Sequence, residues 1–118
     1  MAIENILVSM PTRPWHRDRL RQAMPEANFV FSDSNTMADD ELAHFDAVVG
    51  YVNPNRLHTL SRLKLMQLSM SGVMEEFLKI REKHPQAVLC SATGAYGQAI
   101  SEFMLASLLS FYKLLPQY

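Results

Sequence analysis

The chain has 118 residues, 48% of them hydrophobic, which fits one domain that buries roughly two-thirds of its unfolded surface. Eleven basic and twelve acidic residues give a formal net charge of −1, a balance that favours neither a nucleic acid nor an anionic membrane as partner. The single Cys90 excludes an intrachain disulfide, and the N-terminus lacks a secretory signal, so we expect a cytoplasmic protein.

Short runs rich in valine, isoleucine and leucine alternate with helix-like segments, a pattern typical of parallel strands joined by helices. The runs predict strands over residues 5–10, 28–32, 47–52, 65–69 and 87–91. Helices are predicted over 15–24, 39–44, 53–60 and 73–83, and over a long, strongly apolar C-terminal segment, 98–115. Crossover rules then predict a flavodoxin-like, three-layer α/β domain with a five-stranded parallel sheet of order 2-1-3-4-5.

Several side chains are predicted to be structural. Trp15, Leu20, Ala23 and Met24 share one face of the first helix, which indicates a core contact, and Cys90 lies inside the fifth strand. The histidines fall on predicted helices or helix ends and show no His-x-x-x-His spacing, so we interpret them as surface residues and expect no metal site. They are His16, His44, His58 and His84.

Ligands of an open parallel sheet bind beyond the carboxyl ends of the strands. The loops there are Pro11-Thr-Arg-Pro14, Gly50-Tyr-Val-Asn-Pro54, Ser69-Met-Ser-Gly-Val73 and Ala92-Thr-Gly-Ala-Tyr-Gly97. The N–H groups of Ser71 and Gly72 could form an anion-binding nest suited to a carboxylate. Gly72 and Gly94 also fit the ordinary role of permitting tight turns. Arg13 fits a carboxylate partner or a solvated residue, and Glu102 a helix cap, an interface pair or a ligand group.

Motifs in the second half of the chain occur in a defined order. They are Leu65-Met-Gln-Leu-Ser-Met-Ser-Gly-Val73, Gly94-Ala-Tyr-Gly97, Ala99-Ile-Ser-Glu102 and Lys113-Leu-Leu-Pro-Gln-Tyr118. In this order they resemble the N-terminal, substrate-binding (catalytic) domain of the D-isomer-specific 2-hydroxyacid dehydrogenases. The resemblance covers the chain from about residue 46 onward, while the first forty residues match only in their strand–helix rhythm. Met70 stands where that family usually has a small residue, and Met74 where aspartate is common.

The resemblance implies a 2-oxo acid or D-2-hydroxy acid as substrate and hydride transfer with NAD or NADP. It implies that Ser71 and Gly72 bind the substrate carboxylate through main-chain N–H groups and that Gly50 and Tyr51 help to wall the pocket. Tyr96 and Gly97, with Ser71, would face the cleft and the cofactor. The catalytic histidine, glutamate and arginine of that family, and its Gly-x-Gly-x-x-Gly fingerprint, follow the point where this chain ends.

We therefore expect residues 1–118 to be a substrate-binding fragment without catalytic residues, bound cofactor or activity of its own. Residues 98–115 would form an interdomain helix that leads to an absent nucleotide-binding domain. The apolar residues of this helix cover more than the roughly 100° stripe that one core contact requires. We therefore also expect a homodimer, formed by exchange of this helix.

A stand-alone flavodoxin-like module is the alternative function. A phospho-receiver needs acids after the first strand, an aspartate after the third and a lysine after the fifth, where this chain has Ser9-Met10, Gly50-Tyr51 and Ser91-Ala92. A flavin carrier needs a hydroxyl- and glycine-rich loop after the first strand, and Pro11-Thr-Arg-Pro14 has one hydroxyl and no glycine. A non-catalytic interaction domain that binds a partner through the apolar helix is the third possible function.

Overall fold

The computed structural model describes residues 2–73 and 75–117. Five parallel strands form one sheet in the order β2-β1-β3-β4-β5. The strands are β1 (Asn5–Ser9), β2 (Asn28–Phe31), β3 (Ala47–Gly50), β4 (Leu65–Leu68) and β5 (Val88–Cys90). The predicted flavodoxin-like topology is confirmed, and each strand is one or two residues shorter than predicted.

Short helical segments connect the strands. They are α1 (Pro14–Ala23), α2 (Asp39–Leu42), α3 (Glu75–Leu78) and α4 (Ile80–Lys83), with 3-10 turns at Ser34–Thr36 and Pro54–Thr59. The helix predicted over 53–60 is thus a 3-10 turn, and the one predicted over 73–83 is divided at Lys79. Met74 lies outside the described residues, so its effect on the start of that helix stays a prediction.

The two faces of the sheet are covered unequally. The larger core packs Leu7, Val48 and Met66 against side chains from α2, the Pro54–Thr59 turn, α3 and α4. The smaller core, around Ile6, Val8 and Ala47, receives Leu20 and no other helical side chain from the described residues.

The core contact predicted for the apolar face of α1 is therefore wrong, except at Leu20. Trp15 is 53% exposed and Met24 42% exposed, and Ala23 is also exposed. The physical reason is that α1 alone among the described helices contributes to the smaller core. Its apolar side consequently extends past the part of the sheet that it covers.

The C-terminal helix, α5 (Gly97–Tyr112), extends away from the sheet. It is about 24 Å long and has no buried residue. The radius of gyration is 18.2 Å, against roughly 13.5 Å for a compact chain of this length. The large apolar side chains of α5 are 52% to 81% exposed; they are Ile100, Phe103, Met104, Leu105, Leu108, Leu109, Phe111 and Tyr112.

The predicted long apolar helix is confirmed, with different ends. α5 stops at Tyr112, and Leu114 then takes a left-handed φ of 54° before a 3-10 turn at Leu115–Gln117. No helix in the described part of the chain combines the length and the apolar character that crossing a membrane requires.

A buried carboxylate anchors the opposite, amino edge of the sheet. Asp46 is fully buried; its Oδ2 accepts hydrogen bonds from the N–H groups of Glu4 and Asn5, at 3.1 and 3.0 Å. Its Oδ1 lies 3.1 Å from both Arg62 Nη2 and Lys64 Nζ. Burial alone raises the pKa of this carboxyl, but the hydrogen bonds and the two cations outweigh burial and hold the pKa well below its usual range. Asp46 therefore stabilises the fold as a carboxylate, at the edge of the sheet opposite the carboxyl ends of the strands.

Candidate functional site

The strands end together at the carboxyl edge of the sheet. Ser9 of β1 lies opposite Gly50 of β3, and Gly50 lies opposite Leu68 of β4. Gln67 of β4 lies opposite Cys90 of β5. The loops after β1, β3, β4 and β5 therefore leave the sheet from one edge, where ligands of such sheets bind.

The loops after β4 and β5 are joined by hydrogen bonds. Thr93 Oγ1 donates to Ser71 O at 2.7 Å, Tyr96 OH donates to Ser69 O at 2.7 Å, and Ala92 N–H donates to Met70 O at 2.8 Å. Ser91 Oγ and Thr93 Oγ1 are also 2.7 Å apart. The two loops thus form one unit, which we call the double loop (residues 69–73 and 91–96).

The double loop leaves main-chain donors available. The carbonyl groups of residues 69–71 accept from the β5 side, whereas no described residue accepts a hydrogen bond from Ser71 N–H or Gly72 N–H. Both residues are exposed. The arrangement can therefore offer two adjacent N–H groups to an anion.

Gly72 is not required by the turn in which it lies. Its φ is outside the left-handed region, and a Cβ built on it meets no atom within 4 Å. Gly94 is different, because its φ of 87° favours glycine although the space around it is open. The tight-turn interpretation therefore fits Gly94 and does not explain Gly72.

Gly50 and Tyr51 lie at the same edge and are held in place. Gly50 has a φ of 112°, and a Cβ there would come within 2.4 Å of Ser9 O. Tyr51 N–H donates to Ser9 O at 3.1 Å. The Tyr51 ring packs edge-on against Phe77 of α3, with ring centroids 6.0 Å apart. Tyr51 thus supports the helix that follows the Ser71–Gly72 segment.

The first turn of α5 lies beside the double loop. The helix begins at Gly97, directly after Tyr96, whose hydroxyl binds Ser69 O. Glu102 accepts a hydrogen bond from Gln98 Nε2 at 2.9 Å, so it is used within the helix. Met70 is partly buried and packs against the larger core.

The histidines lie on helical segments or close to their ends, as predicted: His16 and His58 lie within them, and His44 and His84 follow α2 and α4. His16 Nδ1 accepts from Arg13 N–H at 3.0 Å and holds the start of α1. His44 and His58 bond to nearby carbonyl oxygens, Asp40 O and Asn55 O, and His84 ends α4. Over residues 2–73 and 75–117, no three His, Cys, Asp or Glu side chains are grouped as a metal site would need.

A second feature of this edge was not predicted from the sequence. A cavity of about 530 Å³ lies at the ends of β1, β2 and β3, lined in part by Thr12, Arg17, Phe31 and Ser32. Arg13, the arginine singled out in the sequence, is exposed, and Arg17, four residues later, lines the cavity instead. Residues four apart lie on one face of a helix, so the spacing between Arg13 and Arg17 is the sequence feature from which Arg17 could have been identified.

No family model matches the chain, and no curated protein matches its sequence. Solved structures of D-2-hydroxyacid dehydrogenases match its fold. A D-lactate dehydrogenase from Aquifex aeolicus, complexed with NAD and lactic acid, is 15% identical with a TM-score of 0.70 over 91% of this chain and 33% of its own.

Two further structures match in the same way. Phosphoglycerate dehydrogenase from Lactobacillus plantarum is 23% identical with a TM-score of 0.61, over 92% of this chain and 35% of its own. The apo D-mandelate dehydrogenase of Rhodotorula graminis is 20% identical with a TM-score of 0.62, over 98% of this chain and 38% of its own. The chain thus spans about a third of the length of each structure and shares the fold of that part.

Proposed function

We propose that residues 1–118 form the substrate-binding domain of a longer NAD- or NADP-dependent D-2-hydroxyacid dehydrogenase. The observation that supports this most is the double loop, which occurs at the carboxyl edge of a fold shared with a D-lactate dehydrogenase solved with NAD and lactic acid. In this proposal the chain holds the 2-oxo or D-2-hydroxy acid. The dinucleotide and the catalytic groups belong to a nucleotide-binding domain to which α5 leads, so the isolated chain is inactive.

The substrate carboxylate binds to the N–H groups of Ser71 and Gly72. Support comes from their exposure, from the lack of an acceptor for them among the described residues, and from the open space in front of Gly72. The first turn of α5, beside the loop, adds the positive end of a 16-residue helix. Hydrogen bonds from N–H groups to a carboxylate are charge-assisted and fix the position of the neighbouring 2-oxo carbon.

The second candidate is an interaction module without catalysis. One observation favours it, the exposed apolar surface of α5. A phospho-receiver receives no support, because β1, β3 and β5 end in Ser9, Gly50 and Cys90 instead of the acids and the lysine that phosphoryl transfer would need.

The reading frame beyond codon 118 and the activity of its longer product distinguish the two candidates. We expect a Gly-x-Gly-x-x-Gly run within about forty residues. The longer product should oxidise NADH or NADPH in the presence of glyoxylate, hydroxypyruvate or pyruvate, whereas the 118-residue chain should not. A frame that stops, or that continues without a dinucleotide fingerprint, would favour the interaction module.

The chain on its own forms a homodimer through α5. An apolar groove of about 370 Å³ beside α1 is lined in part by Val8, Trp15, Leu20 and Val49. It lies on the sheet face to which α1 is the one described helix that contributes a core side chain. The double loop fixes the start of α5, and the helix leaves this groove unfilled. A second copy supplies the missing helix, and each large side chain withdrawn from water contributes about 1.5–3 kcal/mol.

Light scattering of Leu108→Glu tests the dimer, with Leu78→Glu as the matched control. Leu108 lies in α5 and is 59% exposed, and Leu78 lies in α3 and is 53% exposed. We expect the wild type and Leu78→Glu to be dimers at about 0.1–1 mM, and Leu108→Glu to dissociate at least about 100-fold more readily, since a symmetric interface loses the side chain twice. A monomeric wild type, or a Leu108→Glu dimer as stable as the wild type, would contradict helix exchange.

A further inference from the structure

The cavity of about 530 Å³ lies at the carboxyl ends of β1 and β3, between which the strand order of the sheet reverses. From β1 the chain crosses to β2 on one side, and β3 pairs with β1 on the other side. The loops after β1 and β3 therefore diverge, and this divergence opens a crevice at the carboxyl edge of doubly wound sheets. The double loop follows β4 and β5 at the other end of the sheet and lines no part of this cavity, whereas Tyr51, expected to help wall the substrate pocket, does line it.

The floor of the cavity is fixed by Ser34. Ser34 N–H donates to Ser9 Oγ at 3.0 Å, and Ser34 Oγ donates to Tyr51 O at 3.1 Å. Arg56 Nη1 donates to Ser34 O at 2.6 Å. One buried serine thus joins the segments after β1, β2 and β3. Because these contacts are made by groups of the chain itself, a molecule entering the cavity meets a preorganised wall.

A guanidinium group is held in the wall of the cavity. Arg17 Nε donates to Thr12 Oγ1 at 2.9 Å, and Arg17 Cζ lies 5.0 Å from the centre of the Phe31 ring. Arg21 Cζ lies 5.1 Å from the same ring centre, so two guanidinium groups cover this ring. No hydrogen bond within the described chain uses the Nη groups of Arg17. Asp33 also lines the cavity, and one oxygen of its carboxylate, Oδ1, accepts from Asn35 N–H and Asn35 Nδ2 at 2.9 and 3.0 Å.

We propose that this cavity is a second binding site and takes a small organic anion, with its carboxylate or phosphate on Arg17 and an apolar body along Met10 and Pro11 of the lining. A fixed guanidinium favours planar or tetrahedral oxyanions because its paired N–H donors can bind two oxygen atoms at once. The hydroxyl of Ser32 at the rim supplies a further donor. The volume lies within the range of roughly 300–1,000 Å³ that is usual for small-molecule sites. This site goes beyond the proposed dehydrogenase function and does not depend on it.

Backbone-amide NMR of the 118-residue chain tests the site with benzoate, phenyl phosphate and inorganic phosphate as probes. We expect shift changes confined to the amides of residues 9, 10, 12, 32, 33 and 51 with benzoate or phenyl phosphate, and the tighter of the two identifies the preferred oxyanion. Arg17→Gln should weaken binding at least tenfold. Arg19→Gln, which removes the same charge from the same helix outside the cavity, should bind as the wild type does.

Three results would overturn the site. They are no shift change at these amides in the wild type, an equal loss of affinity in Arg17→Gln and Arg19→Gln, and inorganic phosphate bound as tightly as phenyl phosphate. The wild-type shift map decides the matter even if Arg17→Gln folds poorly. Gly72→Val should leave this binding unchanged, so failure here is distinguishable from failure of the carboxylate site at the double loop.

Discussion

Replacing Gly50 with alanine should lower the free energy of unfolding by at least about 3 kcal/mol. The added Cβ would lie 2.4 Å from Ser9 O and 2.7 Å from Ser9 C, both main-chain atoms of the neighbouring strand. The φ of 112° adds strain for any side chain. Because Ser9 O also accepts the Tyr51 N–H, relief of the clash would disturb the β1–β3 pairing at the carboxyl edge.

Two other glycines provide matched controls for this substitution. In Gly94→Ala the added Cβ meets no atom within 4 Å, but the residue keeps a φ of 87°, so the free energy of unfolding should fall by about 1–2 kcal/mol. Gly72→Ala has neither problem and should be neutral or stabilising by up to about 1 kcal/mol, since alanine restricts the unfolded chain. Urea unfolding followed by circular dichroism measures all three. Gly50→Ala as stable as Gly72→Ala would show that this description of the β1–β3 contact is wrong.

The sheet could be predicted from the sequence because its strands are short apolar runs. Leu7, Val48 and Met66 face the larger core while Ile6, Val8 and Ala47 face the smaller one, so both sides of the central strands are apolar. Right-handed crossovers then leave few possible strand orders. The strand ends were predicted less well, since β3 stops where Gly50 takes its left-handed φ, which no local pattern reveals.

The helical layer was predicted less well because it depends on tertiary contacts. The apolar spacing of α1 predicted a buried stripe, yet Trp15 and Met24 are exposed because the area beside α1 carries no second described helix. The Pro54–Thr59 segment has suitable caps, but it forms a 3-10 turn. Capping residues mark where a helical turn begins and do not determine its hydrogen-bond pattern.

The candidate site was proposed from the order of motifs, whereas the conformational demands on its glycines required the structure. Spacing alone gave Gly50, Gly72 and Gly94 similar weight, and only the neighbouring backbone shows that Gly50 is required, Gly94 is conformationally favoured and Gly72 is free. The cavity beside Arg17 depends on the packing of the Arg17 guanidinium in α1 against the Phe31 ring in β2. Asp46 likewise depends on partners that are distant in sequence, at positions 4, 5, 62 and 64.

Replacing Gly72 with valine in the longer enzyme should raise KM for the 2-oxo acid by about 10–100-fold. Loss of one charge-assisted hydrogen bond to the carboxylate costs roughly 1.5–3 kcal/mol, and a branched side chain at this position would keep the ligand away from the Gly72 N–H group. Since the carboxylate does not react, kcat should change little. The fold should tolerate valine, because nothing lies within 4 Å of the Cβ position.

The most direct test of the carboxylate site is therefore the ratio of KM values for Gly72→Val and the wild type, measured with NADH and the preferred 2-oxo acid. Gly72→Ala and the unfolding curves of both variants serve as controls. The account predicts a stable Gly72→Val enzyme with KM raised at least about tenfold, a smaller rise for Gly72→Ala and a nearly unchanged kcat. A stable Gly72→Val enzyme with the KM of the wild type would contradict it.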